Sequence, residues 1–76
     1  MYLHINKNCV IKNNSVLGIF SIENVNMNDL YENIKDITDL SDGTPKTFLL
    51  TEEMGETKGY ILKLNVDTIK KRSNVF

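Results

Sequence analysis

The side chains best suited to nucleophilic, acid–base or metal chemistry are scarce in this chain of 76 residues, which has one histidine and one cysteine. His4 lies in the apolar run Tyr2–Ile5, and no acidic residue accompanies it at a short spacing that could orient its ring. A histidine in that setting is typical of an edge or interface strand, although the residue type itself suits acid–base catalysis. We therefore expect no catalytic role for His4.

The single cysteine, Cys9, begins the apolar run Cys9–Ile11, where a free cysteine commonly serves as a small buried hydrophobic residue. One cysteine forms no intrachain disulfide, which excludes a secreted scaffold held by such bonds. One cysteine and one histidine are also too few soft ligands for a structural zinc site. The sequence therefore predicts no metal and no cofactor.

An acidic segment, Glu52–Gly59, carries three glutamates and two glycines. Its spacing lacks the alternating oxygen ligands of a calcium loop, and no Lys-Ser or Lys-Thr pair follows the glycines as in a phosphate loop. We interpret the segment as a solvated hairpin tip. Because no constellation of the kind that catalysis needs is present, the sequence predicts a protein that is not an enzyme.

Basic residues are the remaining candidates for chemistry, here contact with phosphate. Nine basic and ten acidic residues give a net charge of -1, which excludes a protein that coats nucleic acid by overall charge but not one with a basic face. Lys46 follows Pro45 in a turn, so we expect it to be exposed and fixed. The candidate nucleic-acid-binding residues are Lys46, Lys12, Thr44, Lys70, Lys71 and Arg72. The alternative is that these bases are ordinary solvated side chains.

The elements that must position these residues begin with strands. Two short apolar runs, Tyr2–Ile5 and Cys9–Ile11, flank an asparagine-rich turn and predict a hairpin. Val16–Ile22 is rich in β-branched and aromatic residues and predicts a strand. Its near-continuous apolar character suggests burial on both faces, either in the core or in an oligomer contact.

The second half of the chain predicts helices around a further strand pair. Leu30, Ile34 and Ile37 recur at helical spacing and predict a helix over Asn28–Ile37, capped by Asn28. Strands are expected at Thr47–Thr51 and Tyr60–Leu64, followed by a short helix that Asn65 caps, from Val66 to about Arg72. The fold class is therefore α+β: one small domain over residues 1–76, with an antiparallel sheet, one central helix and a short C-terminal helix.

Size and hydropathy set the remaining expectations. The start of the chain lacks the basic flank and apolar run of a signal peptide, and no apolar stretch approaches the roughly 20 residues that span a bilayer. We expect a cytoplasmic protein without a membrane partner. A domain of this size is marginal as a lone monomer, which favours self-association.

Four stretches in order resemble the Rem family of bacterial extracellular-matrix regulators, and most closely its RemB-like branch. They cover nearly the whole chain: Met1–Ile5, Val16–Phe20, Gly43–Thr51 and Asp67–Arg72. The resemblance implies control of biofilm matrix genes in Gram-positive bacteria of the Firmicute type. It also implies a ring-like homo-oligomer, as in the RemA branch, which presents arginines to the DNA backbone.

The family's arginines lie before its first long strand and in the turn before the next one. By position they fall near Ser15 and on Thr44, Pro45 and Lys46 of this chain, where only Lys46 is basic. Two hypotheses remain. The first is a regulator that binds double-stranded DNA as a ring through Lys46 and neighbouring bases, without reading base sequence. The second is an oligomeric protein-interaction module that acts on another regulator without binding DNA.

Overall fold

A computed structural model describes residues 2–73 of the chain, with the side chain of Ser73 left out; Met1 and residues 74–76 of the predicted domain lie outside the described residues. The strands and helices, with two short 3-10 helices at Asn13–Ser15 and Ile22–Asn24, follow in chain order: β1 Tyr2–Asn6, β2 Cys9–Lys12, β3 Val16–Ser21, α1 Met27–Asn33, β4 Asp36–Leu40, β5 Thr47–Glu53, β6 Glu56–Leu62 and α2 Val66–Ser73.

The first two strands form the predicted hairpin. They pair antiparallel, with Leu3 opposite Ile11, and leave Lys7 and Asn8 as the turn. The backbone N–H of Asn8 donates to Asn6 Oδ1 at 2.8 Å, a local bond through which asparagine favours turns. Leu3, Ile5 and Ile11 point to one side and are buried, so the hairpin presents a single apolar face.

The other four strands form one sheet in the order β3-β5-β6-β4. The first three pair antiparallel, whereas β4 runs parallel to β6 at the far edge. The α+β fold class is therefore confirmed, and the expectation of an antiparallel sheet holds for every pair except β4–β6. A parallel neighbour is possible here because α1 and its flanking segments carry the chain across the sheet between β3 and β4.

The central helix is shorter than predicted. It begins at Met27, is capped by Asn26 instead of Asn28, and ends at Asn33, where Ile34 already has an extended backbone (φ -120°). Ile37 belongs to β4 and faces Gly59 of β6. The helical spacing of Leu30, Ile34 and Ile37 gave a wrong prediction for Ile37. Ile37 and Leu40 lie on opposite faces of β4, and the aspartates of β4 are residues that are uncommon in strands.

The core lies between one face of the four-stranded sheet and two covering elements. Leu49 and Leu62 project from the sheet toward the hairpin and toward Ile69 of α2, and all three side chains are fully buried. Asn65 caps α2 as predicted, since the backbone N–H of Thr68 donates to Asn65 Oδ1 at 2.8 Å. The opposite face of the sheet carries buried Phe48 and Ile61. A Cβ at Gly59 would lie 2.6 Å from the Phe48 ring, so glycine makes room for that ring.

Strand β3 differs from the expectation of burial on both faces. It is an edge strand, and Leu17 and Phe20 are 56% and 42% exposed. Leu17 and Phe20 are therefore not enclosed by the described part of the chain, whereas Val16 and Ile19 are half-buried against the core. The prediction that this run lies in an oligomer contact stays a prediction.

Candidate nucleic-acid interface

The turn between β4 and β5 holds the basic candidate Lys46, and its shape is set by a chain of local hydrogen bonds. Asp39 Oδ1 accepts from both the backbone N–H and the hydroxyl of Ser41, at 2.9 and 2.6 Å. The hydrogen bond from the Ser41 hydroxyl contributes most to lowering the pKa of Asp39, and the bond from the Ser41 backbone N–H lowers it further. Desolvation acts in the opposite direction. Thr44 then donates its N–H and its hydroxyl to the Ser41 carbonyl, both at 3.0 Å. Thr44 thus has a structural role in closing the turn.

Two residues at the tip of this turn adopt left-handed backbone conformations. Asp42 has φ +52° and Gly43 has φ +85°, values that aspartate tolerates and glycine adopts freely. Asp42 also forms an exposed ion pair with Lys63, with 3.5 Å between Oδ2 and Nζ. The Ser-Asp-Gly-Thr sequence therefore favours the tight turn that delivers Pro45 and Lys46 to the start of β5.

Lys46 is held by its backbone and leaves its side chain exposed. Its N–H donates to the Leu62 carbonyl at 2.8 Å, and its carbonyl accepts from the Ile22 N–H at 3.0 Å. Pro45 before it restricts the preceding backbone further. Within residues 2–73 its ammonium group forms no ion pair. Lys46 thus has a fixed backbone and an exposed side chain at one end of the sheet.

A shallow groove of about 420 Å³ lies beside Lys46, where the end of β3 meets the first turn of α2. Ser21, Asn65 and Val66 line it, and so do the acidic residues Glu23 and Asp67. The lone base therefore stands next to two acids. The interior of this groove therefore disfavours an anion.

Lys12 lies at the opposite end of the sheet. Val16, at the start of β3, pairs with Thr51, whereas Ser21, at its end, pairs with Thr47 next to Lys46. The two bases are therefore separated by roughly 15 Å along the strand direction. Lys12 lines a groove of about 470 Å³ with Glu52 and Glu53, and those carboxylates oppose the approach of phosphate. Ser15 also lines this acidic groove.

The bases of α2 occupy a third location. All three are exposed, yet the Arg72 guanidinium donates to the carbonyls of His4 and Ile5 at 3.2 and 3.3 Å and so fastens the helix to β1. Lys70 also interacts within the protein. The structure therefore brings Thr44 and Lys46 together in one turn, but it places Lys12 and the α2 bases elsewhere.

A polar cluster at the Lys12 end was not anticipated from the sequence. Glu53 Oε2 accepts from the hydroxyls of Tyr60 and Thr51, each at 2.8 Å. Partial burial raises the pKa of Glu53, but the bonds from Tyr60 and Thr51 and the charge of Lys58 outweigh it, and the net pKa is lowered. The same cluster, mainly through burial, raises the pKa of Tyr60. The only sequence signal was the spacing of Thr51 and Glu53 on one side of a strand.

Cys9 lies near this cluster and is half-buried. Burial is the main cause that raises the pKa of the Cys9 thiol, and the negative charge of Glu53 raises it further. Because the thiolate is the reactive form, these surroundings make Cys9 less reactive than a free cysteine.

Three further observations bear on function. Among residues 2–73, no three histidine, cysteine, aspartate or glutamate side chains lie together in a way that could hold a metal ion. In the same range, no helix has the length and apolar character needed to cross a membrane. No protein-family model, curated protein or solved structure matches the chain.

Proposed function

We propose that this chain is a cytoplasmic, homo-oligomeric bacterial regulator of extracellular-matrix gene expression that binds the DNA backbone, as its resemblance to the Rem family implies. The proposal is supported by the positions of two resembling stretches, Val16–Phe20 and Gly43–Thr51, which form neighbouring strands with the Lys46 turn at their shared end. In this role the protein needs no catalytic group.

The single observation that carries the proposal is the geometry of Lys46. Backbone hydrogen bonds to Leu62 and Ile22 fix its main chain, and its exposed ammonium group has no carboxylate partner within residues 2–73. Because the backbone of Lys46 is already held, only its side chain has to be ordered on contact with phosphate. One phosphate contact per subunit is weak, but an oligomer presents several such contacts to one duplex at once.

Contacts of this kind position a protein on a duplex without reading its sequence. The exposed helix α1 contains no lysine or arginine, and α2 is tied to β1 through Arg72. These features do not favour a recognition helix in the major groove. We therefore propose that target choice depends on DNA shape or on other regulators.

A second candidate function is an oligomeric module that binds another regulator protein and no DNA. The observation that favours it is charge: Glu23 and Asp67 lie beside Lys46, and Glu52 and Glu53 lie beside Lys12. Exposed apolar side chains on β3 would then meet a protein instead of nucleic acid.

An electrophoretic mobility assay at low salt distinguishes the DNA-binding regulator from the protein-interaction module. It uses the full chain and a double-stranded DNA fragment as long as a promoter of a matrix gene. The DNA-binding regulator predicts a retarded complex that a longer duplex of unrelated sequence also forms. The interaction module predicts no complex at any protein concentration, together with partners that remain bound after nuclease treatment. Absence of a complex for the wild-type protein at low salt would contradict the DNA-binding proposal.

A further inference from the structure

The sheet face opposite the hairpin and α2 carries two phenylalanine rings that each lie over a glycine. A Cβ at Gly18 would lie 2.6 Å from Cζ of Phe20, and a Cβ at Gly59 would lie 2.6 Å from Cζ of Phe48. Glycine within a strand often marks a place where another group approaches the backbone closely, and here that group is a ring. Phe48 is buried, whereas Phe20 is 42% exposed. The backbone of β3 therefore supports an aromatic ring that solvent still reaches.

Phe20 borders a groove of about 340 Å³ between the sheet and the segment that leads into α1. This volume lies within the range of about 300–1,000 Å³ that is typical of ligand clefts. We name it the Phe20 groove. Its lining consists of five apolar residues and three polar ones: Phe20, Val25, Leu30, Phe48 and Leu50, with Asn24, Asn26 and Asp29.

The Phe20 groove contains a single charged residue, Asp29. Within residues 2–73 its carboxylate has no hydrogen-bond or ion-pair partner, because the bonds of Asp29 to Asn26 and Asn33 use its backbone N–H and carbonyl. The grooves beside Lys46 and Lys12 each hold a base among acids, whereas no lysine, arginine or histidine lines the Phe20 groove. An accessible aromatic ring and an unpaired carboxylate both attract a cation.

We infer that the Phe20 groove binds an arginine side chain of a partner protein. A guanidinium is planar, stacks on aromatic rings and pairs with a carboxylate through two parallel hydrogen bonds, so one group can contact both Phe20 and Asp29. A lysine ammonium is a more strongly hydrated point charge and lacks this planar surface. The apolar remainder of the groove suits the aliphatic stem of arginine and apolar residues next to it in the partner.

The occupant belongs to a different protein and not to a second copy of this chain. The sequence contains one arginine, Arg72, and its guanidinium already donates to the carbonyls of His4 and Ile5. A second copy therefore offers no free guanidinium. The inference goes beyond the proposed function, because it requires neither DNA binding nor self-association.

A chemical-shift titration of the isotope-labelled chain tests the inference, with N-acetyl-arginine amide as the probe. We expect saturable shifts at the backbone amides of Phe20, Leu30 and Leu50, with a dissociation constant of roughly 1 mM. The citrulline amide has the same shape without the charge and should bind at least about tenfold more weakly. A short peptide that carries arginine between two leucines should bind more tightly than the arginine amide, because its leucines cover apolar lining of the groove.

Variants locate the contact within the groove. Asp29→Asn should weaken binding of the arginine amide about tenfold, because the charged hydrogen bonds are lost. Phe20→Leu should weaken it roughly two- to fivefold, since leucine keeps an apolar contact and removes the ring. Asp67→Asn is the matched control: it removes an exposed aspartate from the first turn of the other helix and should leave the affinity unchanged. The amide spectra of the free variants show whether each is folded.

The inference would be overturned by an absence of saturable shifts, by equal affinities for the arginine and citrulline amides, or by equal losses in Asp29→Asn and Asp67→Asn. Tighter binding of tetramethylammonium than of the arginine amide would also overturn it, because the groove would then be a site for a small organic cation. None of these outcomes bears on the proposed function, since the mobility assay measures duplex binding separately.

Discussion

The two ends of the β3–β5 strand pair each carry an exposed lysine beside a turn and beside two acidic residues, and they differ in how the backbone of the lysine is held. At one end the backbone of Lys46 is held by hydrogen bonds to Leu62 and Ile22, and its side chain shares a groove with Glu23 and Asp67. At the other end Lys12 shares a groove with Glu52 and Glu53. A base near a turn is therefore not sufficient for a phosphate site. The proposal that the Lys46 end faces DNA therefore rests on the hydrogen-bonded backbone of its turn and on the resemblance that covers Gly43–Thr51.

The largest expected effect comes from reversing the charge at the Lys46 end. Lys46→Glu should weaken duplex binding at low salt by roughly ten- to hundredfold, because each subunit of the oligomer loses a phosphate contact. Lys12→Glu should change the affinity by less than about threefold, since Lys12 lies roughly 15 Å along the strand direction from the proposed phosphate contact. Fluorescence anisotropy with a labelled duplex measures both, and Lys46→Arg should retain binding. Equal losses for Lys46→Glu and Lys12→Glu would remove the distinction between the two ends.

Stability should respond to a buried hydroxyl at the Lys46 end. Thr47 is fully buried and donates to the Leu64 carbonyl at 2.6 Å, which fixes the connection from β6 to α2. Thr47→Val leaves that carbonyl without its partner and should lower the free energy of unfolding by about 1–2 kcal/mol, measured in urea. Thr57→Val, at an exposed position near the other end, should change it by no more than about 0.5 kcal/mol. A larger loss for Thr57→Val would contradict this assignment.

A smaller effect should appear at the Lys12 end as pH falls. The folded-state pKa of Glu53 lies below its ordinary value of 4.5, so its contribution to stability is present above that value and is lost as pH drops through the folded-state pKa. Glu53→Gln should therefore flatten the fall of melting temperature in acid. Because solvent screens this group, the difference should be less than about 1 kcal/mol. Glu56→Gln, at an exposed position on the next strand, is the control, and an identical curve for both variants would exclude the Glu53 cluster as the cause.

The smallest effect is expected at the tip of the β5–β6 hairpin. Glu53 pairs with Glu56, so the turn is Met54 and Gly55, and both have positive φ, +54° and +81°. Methionine is disfavoured there, so Met54→Gly should stabilise the protein by roughly 0.5 kcal/mol in thermal unfolding. Gly55→Ala should act in the opposite direction. A destabilised Met54→Gly protein would show that the methionine side chain has a role that its exposure does not reveal.

Elements with strong local signals could be predicted from the sequence. The asparagine turn after β1, the apolar run of β5 and the Asn65 cap of α2 each depend on neighbouring residues, and the structure contains all three. Strand β4 could not be predicted, because its aspartates hide the strand signal and its pairing with β6 joins distant segments. The acidic connection over residues 52–59 also proved to be mostly strand, with a turn of only two residues.

The candidate site shows the same division. Pro45 and the turn residues before it predict that Lys46 is exposed and fixed, which the structure bears out. The separation of Lys12 from Lys46 follows only from the antiparallel pairing of β3 with β5. The two hydrogen bonds from Arg72 to β1 join residues that are 68 and 67 positions apart in the chain. No local sequence pattern predicts them.

The salt dependence of duplex binding tests the central claim most directly. The logarithm of the association constant of the wild-type chain should fall steeply with the logarithm of salt concentration, because phosphate contacts release counterions. Lys46→Ala should reduce that slope by about one for each subunit that touches the duplex, and Lys12→Ala should leave it unchanged. A wild-type slope near zero, or a slope that Lys46→Ala does not alter, would contradict the account of Lys46 as the phosphate contact.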